Sequence, residues 1–140
     1  MQIILDLQDK SILKIEKGEE CLDVLESLAK EKDRSFSFSI IGACSFIGLS
    51  YYDLKTKKYF TKEFNADSFE ILSLSGNVAW CEGEPVVHAH GVFSGENYEC
   101  FGGHVSKLVI SITGEAVIDW LPQKINKKYD PVTGLKFLCQ

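Results

Sequence analysis

The chain has 140 residues, of which 45% are hydrophobic and 25% are charged. We expect residues 1–140 to form one domain, because this length buries a core without disulfide or metal staples. The near-average composition excludes disordered, collagen-like and coiled-coil proteins. A net charge of −5 and a single arginine, Arg34, disfavour binding of duplex DNA, since neutralisation of phosphates supplies most of that affinity.

Three features of the sequence bear on location. No run of about 18 apolar residues is present, so we expect no transmembrane helix. The N-terminus has no basic region and carries Asp6 and Asp9 in its short apolar stretch, so we expect no secretory signal. The five cysteines are odd in number and show no CxxC spacing. This pattern is typical of reduced thiols and predicts a cytoplasmic protein.

The cysteines and tryptophans are interpreted mainly as structural residues. Cys21 and Cys44 lie in apolar stretches and are predicted to be small core residues. Cys100 is the only cysteine near histidines in sequence, but nothing places an activating base beside it, so a nucleophilic role is not favoured. Trp80 and Trp120 are expected in the core or at an interface rather than stacked on a ligand.

Two lysine clusters are interpreted as solvated loops, since lysines usually lie at the surface. One falls within residues 55–58 and the other contains Lys124, Lys127 and Lys128. Motifs for nucleotide binding are absent, because no GxGxxG follows a predicted strand and no Walker A sequence is present. The GxSxG elbow of α/β-hydrolases is absent as well.

The N-terminal part of the chain predicts two strands and a helix. Residues 3–7 form a short apolar run, and residues 11–17 alternate between apolar and polar side chains, which is typical of strands. From about residue 19 to residue 32, apolar residues recur at steps of three and four, which predicts a helix with one buried face. Acidic residues in its first turn and lysines in its last turn suit the helix dipole.

The sequence period changes to two after Arg34, and the elements that follow are predicted to be strands. These strands cover residues 36–44, 47–53, 58–64, 69–74, 85–93, 105–112 and 116–121. Turns are expected at residues 54–57, 75–77, 95 and 102–103, with a bend at residue 114. One helix against about eight strands predicts an α+β fold with a mostly antiparallel sheet.

All three histidines lie between residues 88 and 104. His88 and His90 are two positions apart on a predicted strand, so their side chains point to the same face with Cα atoms about 7 Å apart. His104 follows two glycines that we expect to form a flexible turn, bringing a third imidazole to the same point. Three imidazoles with an open fourth position are typical of a catalytic-type zinc site.

Spacing alone leaves two interpretations of these histidines open. In the first, they bind a metal ion, and the carboxylates of Glu96, Glu99 and Glu115 supply a fourth ligand or support the ligands. In the second, the histidines pack at the sheet surface and make local hydrogen bonds, because an HxH pair on a strand is a weak signal by itself.

Several sequence blocks, taken in order, carry a family resemblance. They are KGE at residues 17–19, FEILSLSGN at residues 69–77, GEPVVHAH at residues 83–90, FGGH at residues 101–104, and the strand at residues 109–121. Together these blocks resemble the PPC domain (plants and prokaryotes conserved), and the resemblance extends over residues 11–121.

The resemblance implies one main helix on a largely antiparallel sheet, assembled as a homotrimer. It also implies that the HxH pair and the GGH histidine, here His88, His90 and His104, form a metal site. Nine phenylalanines and two tryptophans on a short chain agree with an apolar surface that an interface covers. The resemblance is to the prokaryotic members of the family, which are free-standing single-domain proteins. It therefore implies that this chain is a free-standing single-domain protein.

Plant members of the family carry the domain after AT-hook segments in nuclear DNA-binding proteins, where it mediates self-association. The hook needs an Arg-Gly-Arg-Pro sequence, which this chain lacks. Minor-groove binding by a hook is therefore not implied for this chain.

Three functional hypotheses follow from the sequence. The preferred one is a trimeric module of the bacterial or archaeal cytoplasm that binds zinc or another divalent metal and has an unassigned biochemical role. The second is a zinc-dependent enzyme that acts on a small anionic substrate, since three neutral imidazoles leave the ion its full charge to lower the pKa of bound water. The third is a DNA-associated regulator, which the acidic charge disfavours.

Overall fold

Eight strands and one helix form the described part of the chain, residues 1–139 of the computed structural model. The helix is α1 (Cys21–Lys32). The strands are β1 (Gln2–Asp6), β2 (Lys10–Glu16), β3 (Phe36–Asp53), β4 (Lys58–Cys81), β5 (Glu84–Ser94), β6 (Cys100–Trp120), β7 (Asn126–Asp130) and β8 (Leu135–Cys139). This arrangement confirms the predicted fold class of one helix and a mostly antiparallel sheet.

The strands belong to one sheet, in the order β1-β2-β6-β3-β4-β7-β8, and β5 pairs with both β4 and β6. Strands β3, β4, β5 and β6 therefore form a closed circuit of antiparallel pairings. Because side chains alternate along each strand, the circuit has an inner face and an outer face. The inner face packs with α1 to form the core.

The core is built from large apolar side chains of the long strands and from one face of α1. The buried residues include Phe36, Ile40, Leu74, Phe93, Leu108 and Ile118 from the strands and Leu25, Leu28 and Ala29 from the helix. Trp120 packs edge-on against Phe36 with ring centroids 5.1 Å apart, and its indole N–H donates to Ser11 Oγ at 2.8 Å. The polar tip of this buried tryptophan is therefore satisfied inside the core.

The residues predicted to be structural are buried. Trp80 lies in the interior, and so do Cys21 and Cys44. Burial raises the pKa of the Cys44 thiol to about 12, which leaves it protonated and unreactive at neutral pH.

The start of α1 is fixed by one carboxylate. Glu20 is the N-cap, and its side chain accepts hydrogen bonds from the backbone N–H of Asp23 and from that of Leu108 in β6, both at 2.7 Å. The same side chain thus satisfies a free N–H of the first helical turn and attaches the helix to the sheet. Within residues 1–139, no helix is long and apolar enough to span a bilayer.

Three strands are longer than the sequence predicted. The expected turns at residues 75–77 and 102–103 are wrong, because these residues lie inside β4 and β6. Gly114, the site of the expected bend, also lies within β6, next to a shift in the register of β6 with β3. A Cβ atom at Gly76 would lie 1.9 Å from the carbonyl oxygen of His88 in the neighbouring strand. The glycine permits close contact between two backbones and does not reverse the chain.

Other predicted turns are confirmed. The hairpin between β3 and β4 turns at residues 54–57, and Asp53 pairs with Lys58 at its end. The chain also reverses after β5 at Gly95, so that Ser94 pairs with Cys100.

A C-terminal hairpin of β7 and β8 was not predicted. Its turn is held by Asp130, whose carboxylate accepts hydrogen bonds from the backbone N–H and the hydroxyl of Thr133 at 2.9 and 2.7 Å. Among the described residues, a single pair, Trp80 and Asn126, joins β7 to β4.

Two further hydrogen bonds connect the hairpin to the tip of β3 and β4. The hydroxyl of Tyr52 donates to the carbonyl oxygen of Thr133 at 2.6 Å. The ammonium of Lys57 donates to the carbonyl oxygen of Pro131 at 3.1 Å. The two hairpins therefore stand side by side.

We expect Gly76→Ala to destabilise the protein by roughly 1–3 kcal/mol, the usual cost of overpacking. The new methyl group would overlap the His88 carbonyl oxygen and disrupt the pairing of β4 with β5. Gly103→Ala is the matched control, because a Cβ atom there meets no atom within 4 Å. Urea unfolding measures both variants, and equal losses of stability would contradict the role given to Gly76.

Candidate metal centre

The three histidines meet on the outer face of the sheet, where β5 pairs with β6. His90 and His104 are direct partners across these strands, and His88 lies two residues from His90 on the same face of β5. The ring centroids are 5.2 to 5.4 Å apart. One ring nitrogen of each residue lies within 4.8 Å of the other two, so the three imidazoles converge on one point.

Strand pairing, and not a flexible turn, brings His104 to the cluster. Gly103 lies inside β6 directly opposite Gly91. A Cβ atom at Gly102 would lie 2.2 Å from the carbonyl oxygen of Gly91. The glycines let β5 and β6 approach closely in the register that sets His90 opposite His104.

The surroundings favour the neutral form of His88 and His104. Loss of solvation lowers the pKa of His88 to about 4, and the positive charge of Lys127 and the other two imidazoles act in the same direction. Loss of solvation also lowers the pKa of His104, again with contributions from His90 and Lys127. Neutral imidazole is the form that binds a metal ion.

An open cavity of about 930 Å³ lies against the cluster, a volume typical of pockets for small molecules. The histidines form one wall. The other walls come from the tip of β3 and β4, with Tyr51, Tyr52 and Tyr59, and from the C-terminal hairpin, with Lys127, Tyr129, Lys136 and Leu138. The ring centroid of Tyr59 lies 6.0 Å from that of His104, so the tyrosine wall begins directly beside the cluster.

The interpretation of Lys127 as part of a solvated loop is wrong. Lys127 is half-buried in β7 and lines the cavity, and loss of solvation lowers the pKa of its ammonium group. It pairs with Leu138 of β8, which places both side chains on the same face of the hairpin. Within residues 1–139, Lys127 forms no ion pair.

Sequence reasoning missed the cavity residues of the C-terminal hairpin. The signal that could have found them is DPVTG at residues 130–134, a typical turn sequence, set between the short runs NKKYD and LKFLC. The position of this hairpin beside the histidines is a tertiary feature, and the local pattern does not contain it.

The carboxylates expected beside the histidines are not there. Glu96 and Glu99 lie between β5 and β6, and Glu115 lies in a different part of β6, opposite Ile41. None of the three joins the histidine cluster, and no acidic side chain of residues 1–139 lines the cavity. Cys100 is exposed at the start of β6 and also lies outside the cluster.

Asn77 places a buried amide oxygen on the strand next to His88. It is the direct partner of His88 across β4 and β5, so the two side chains share a face. Its amide oxygen is buried and has no hydrogen-bond partner among residues 1–139. Histidines that bind metals usually donate their second ring N–H to such an acceptor. Three converging imidazoles beside this acceptor fit a bound metal ion.

The family of the chain follows from its sequence profile. The profile of the Plants and Prokaryotes Conserved (PCC) domain matches residues 7–121. The chain belongs to this family. The match confirms the resemblance seen in the sequence blocks, and its range contains all three histidines of this chain but not the C-terminal hairpin.

Solved structures with the same fold cover nearly the whole chain. A protein from Bacteroides thetaiotaomicron, named as a candidate DNA-binding protein, is 28% identical with a TM-score of 0.91 over 96% of this chain and 94% of its own. A metal-containing protein from Archaeoglobus fulgidus is 26% identical with a TM-score of 0.85 over 100% and 99% of the two chains. A plant- and prokaryote-conserved protein from Pyrococcus horikoshii is 26% identical with a TM-score of 0.86 over 96% and 94%. No curated protein matches the chain.

The lowered pKa values predict that acid destabilises the metal-free protein. An imidazole whose pKa is lower in the folded than in the unfolded state stays neutral in the fold while the unfolded chain binds a proton. Stability is therefore full above about pH 6.5, the unfolded value, and declines as the pH falls towards about 4, the value of His88. We expect the urea midpoint to be lower at pH 5 than at pH 7 by about 1 M, a shift that is readily measured.

His88→Gln is the control for this pH dependence, because glutamine keeps a polar side chain and cannot take up a proton. The variant should lose less stability between the two pH values than the unchanged protein. The same loss in both proteins would assign the effect to other groups.

Proposed function

We propose that this protein is a metal-binding module in which His88, His90 and His104 hold one divalent ion, with zinc as the favoured metal. The observation that carries the proposal is the convergence of three ring nitrogens within 4.8 Å of one another. Imidazole suits zinc, and three protein ligands leave a coordination position open towards the cavity. The metal-containing protein from Archaeoglobus fulgidus, with the same fold, supports the proposal.

The chain's own residues prepare the site in two ways. The lowered pKa of His88 and His104 keeps their lone pairs free at neutral pH. The buried amide oxygen of Asn77 can accept the second ring N–H of His88 and so fix its tautomer. A zinc ion, when bound, supplies positive charge that polarises a ligand in its open position.

We expect zinc-loaded protein, purified without an affinity tag and desalted, to retain about one equivalent per subunit. His88→Ala or His90→Ala should lose most of the metal, because removal of one of three ligands costs several of the roughly 10–16 kcal/mol typical of structural zinc binding. Metal analysis by mass spectrometry is the measurement.

Two variants sharpen this test. Cys100→Ser should keep the metal, since Cys100 lies outside the cluster. Asn77→Ala should keep the three ligands but bind zinc about 10-fold to 100-fold more weakly, as is usual for the loss of a hydrogen-bond partner of a ligand. Full retention of zinc in His88→Ala, or less than about 0.2 equivalents in the unchanged protein, would return the histidines to a structural role.

A zinc-dependent enzyme that acts on a small anionic substrate is the second candidate. The cavity beside the histidines favours it, because an open coordination position there faces a space of substrate size. The lack of a carboxylate on the described cavity walls limits the chemistry. Proton transfer would fall to Lys127, Tyr59 or Tyr129, and no residue is assigned a catalytic role.

Duplex DNA is a weaker candidate partner, although similar proteins from Bacteroides thetaiotaomicron and Ralstonia eutropha are named as candidate DNA-binding proteins. The single arginine is engaged within the fold. The Arg34 guanidinium donates to the carbonyl oxygens of Gln8 at 2.8 Å and Leu121 at 3.0 Å, and it lies over the Trp120 ring. It is therefore not free to contact phosphates or guanine.

The proposal includes a homotrimer, which an apolar stripe on the outer face supports. We define the apolar stripe as Ile112 of β6, Ile41 of β3, Leu72 of β4 and Val92 of β5, which are between 43% and 64% exposed. These residues lie on four adjacent strands, close to the positions where the register of β3 with β4 and β6 and of β4 with β5 shifts. Exposed branched side chains grouped on one face are typical of a surface that another subunit covers.

We expect light scattering to return about three times the chain mass of 15.7 kDa. The double variant Ile41→Lys and Ile112→Lys should dissociate to the monomer, because burying two lysines without partners is unfavourable. Val132→Lys is the control, since Val132 is 78% exposed in the turn of the C-terminal hairpin and lies outside the apolar stripe. A monomeric unchanged protein at micromolar concentration would contradict the assembly.

A cytoplasmic location completes the proposal. All five cysteines are free in the structure, which agrees with a reducing compartment.

A further inference from the structure

We propose that the cavity beside the histidines binds a small carboxylic acid with an aromatic or apolar body, and that Lys127 is the cation that recognises its carboxylate. The inference deepens the proposed function, since the same carboxylate can share the open position of the metal. It adds a ligand class and a recognition residue to the site.

The first support is the state of Lys127. Its side chain is half-buried at the cavity wall and close enough to the cluster for its charge to act on His88 and His104. Within residues 1–139 no carboxylate pairs with it. A partly buried ammonium without a counter-ion is unfavourable, and an anionic ligand in the cavity relieves this cost.

The second support is the charge around the cavity mouth. The tip of β3 and β4 (residues 51–59) and the C-terminal hairpin (residues 126–139) stand side by side. Apart from Lys128, whose side chain points away from the cavity, they carry five lysines, Lys55, Lys57, Lys58, Lys127 and Lys136. The two acidic residues of these segments are occupied in turns. Asp53 accepts the backbone N–H of Lys55 at 2.8 Å, and Asp130 accepts that of Thr133 at 2.9 Å. The mouth is thus positive in a chain of net charge −5, which attracts anions.

The third support is the apolar character of the remaining wall. Tyr52 and Tyr59 lie with ring centroids 4.8 Å apart, and Tyr59 borders His104. Leu138 lies beside Lys127 on the same face of the hairpin. A ligand that fills this space therefore presents a flat or apolar body to the tyrosines and an anionic group to Lys127. Inorganic phosphate satisfies the charge but leaves the apolar wall without contact.

The test is a titration of zinc-loaded protein with phenylacetate, followed by amide signals in nuclear magnetic resonance spectra. We expect the signals of Lys127, Tyr129 and Tyr59 to shift. Lys127→Met should weaken binding about 10-fold or more, because a hydrogen bond to a charged group is lost. Lys128→Met is the matched control, since the neighbouring lysine of β7 points to the opposite face, and it should stay within about twofold.

Two further ligands separate the parts of the inference. The uncharged analogue 2-phenylethanol should bind at least about 10-fold more weakly than phenylacetate if the carboxylate is recognised. Inorganic phosphate should compete poorly if the apolar wall contributes. Equal binding of either probe, equal effects of Lys127→Met and Lys128→Met, or no shifts at millimolar phenylacetate would overturn the inference. Lys127→Arg, which keeps the charge, should retain binding and so exclude misfolding as the cause.

The metal-free protein distinguishes this inference from the proposed function. We expect metal-free protein and His88→Ala to bind phenylacetate through Lys127, although more weakly than zinc-loaded protein does. In both, Lys127→Met should reduce the affinity by the same factor as in zinc-loaded protein. If zinc fails to bind while this Lys127-dependent binding persists, the metal proposal fails alone. If zinc binds to the unchanged protein and to Lys127→Met, while phenylacetate binds to neither, the ligand inference fails alone.

Discussion

The register between β5 and β6 is the constraint on which the site depends. Side chains alternate along a strand, so a slip of one residue would turn His88 and His90 into the core and bring the buried Ala89 to the surface. Glycines secure the register, because the backbones of β5 and β6 approach where Gly102 faces the Gly91 carbonyl. The geometry of the cluster is therefore a property of backbone packing and not of a mobile loop.

The ionisable groups on the described cavity walls include imidazoles and ammonium groups but no carboxylate. Three imidazoles and Lys127 share one cavity, and among the described residues no carboxylate enters it. Such a group of bases and cations does not neutralise itself, and Lys127 and the neighbouring imidazoles lower the proton affinity of His88 and His104. The arrangement favours the binding of a metal ion, which accepts lone pairs from the imidazoles, or of an anion, which pairs with the ammonium. The metal proposal and the anion proposal therefore have the same physical origin.

Local patterns in the sequence predict the helix, the first two strands and the hairpin at residues 54–57, because each has its own periodicity or turn signal. They also place His88 and His90 on one face. The role of glycine is ambiguous in the sequence, because glycine is common both in turns and where two backbones approach closely. Gly76 and Gly102 are of the second kind, although the sequence pattern predicts turns there. The partnership of His90 with His104 and the burial of Lys127 depend on which strands meet, and a single sequence does not encode that in any local pattern.

The C-terminal hairpin forms one wall of the cavity, and this wall can open while the core stays folded. β7 meets β4 at one residue pair, and Tyr52 and Lys57 hold the hairpin through two more hydrogen bonds. A segment attached so sparingly opens locally at a free energy well below that of global unfolding. A molecule that fills the cavity ties this wall to the sheet, so its residence time is coupled to hairpin opening, and hydrogen exchange in β7 and β8 slows while exchange in the core stays the same.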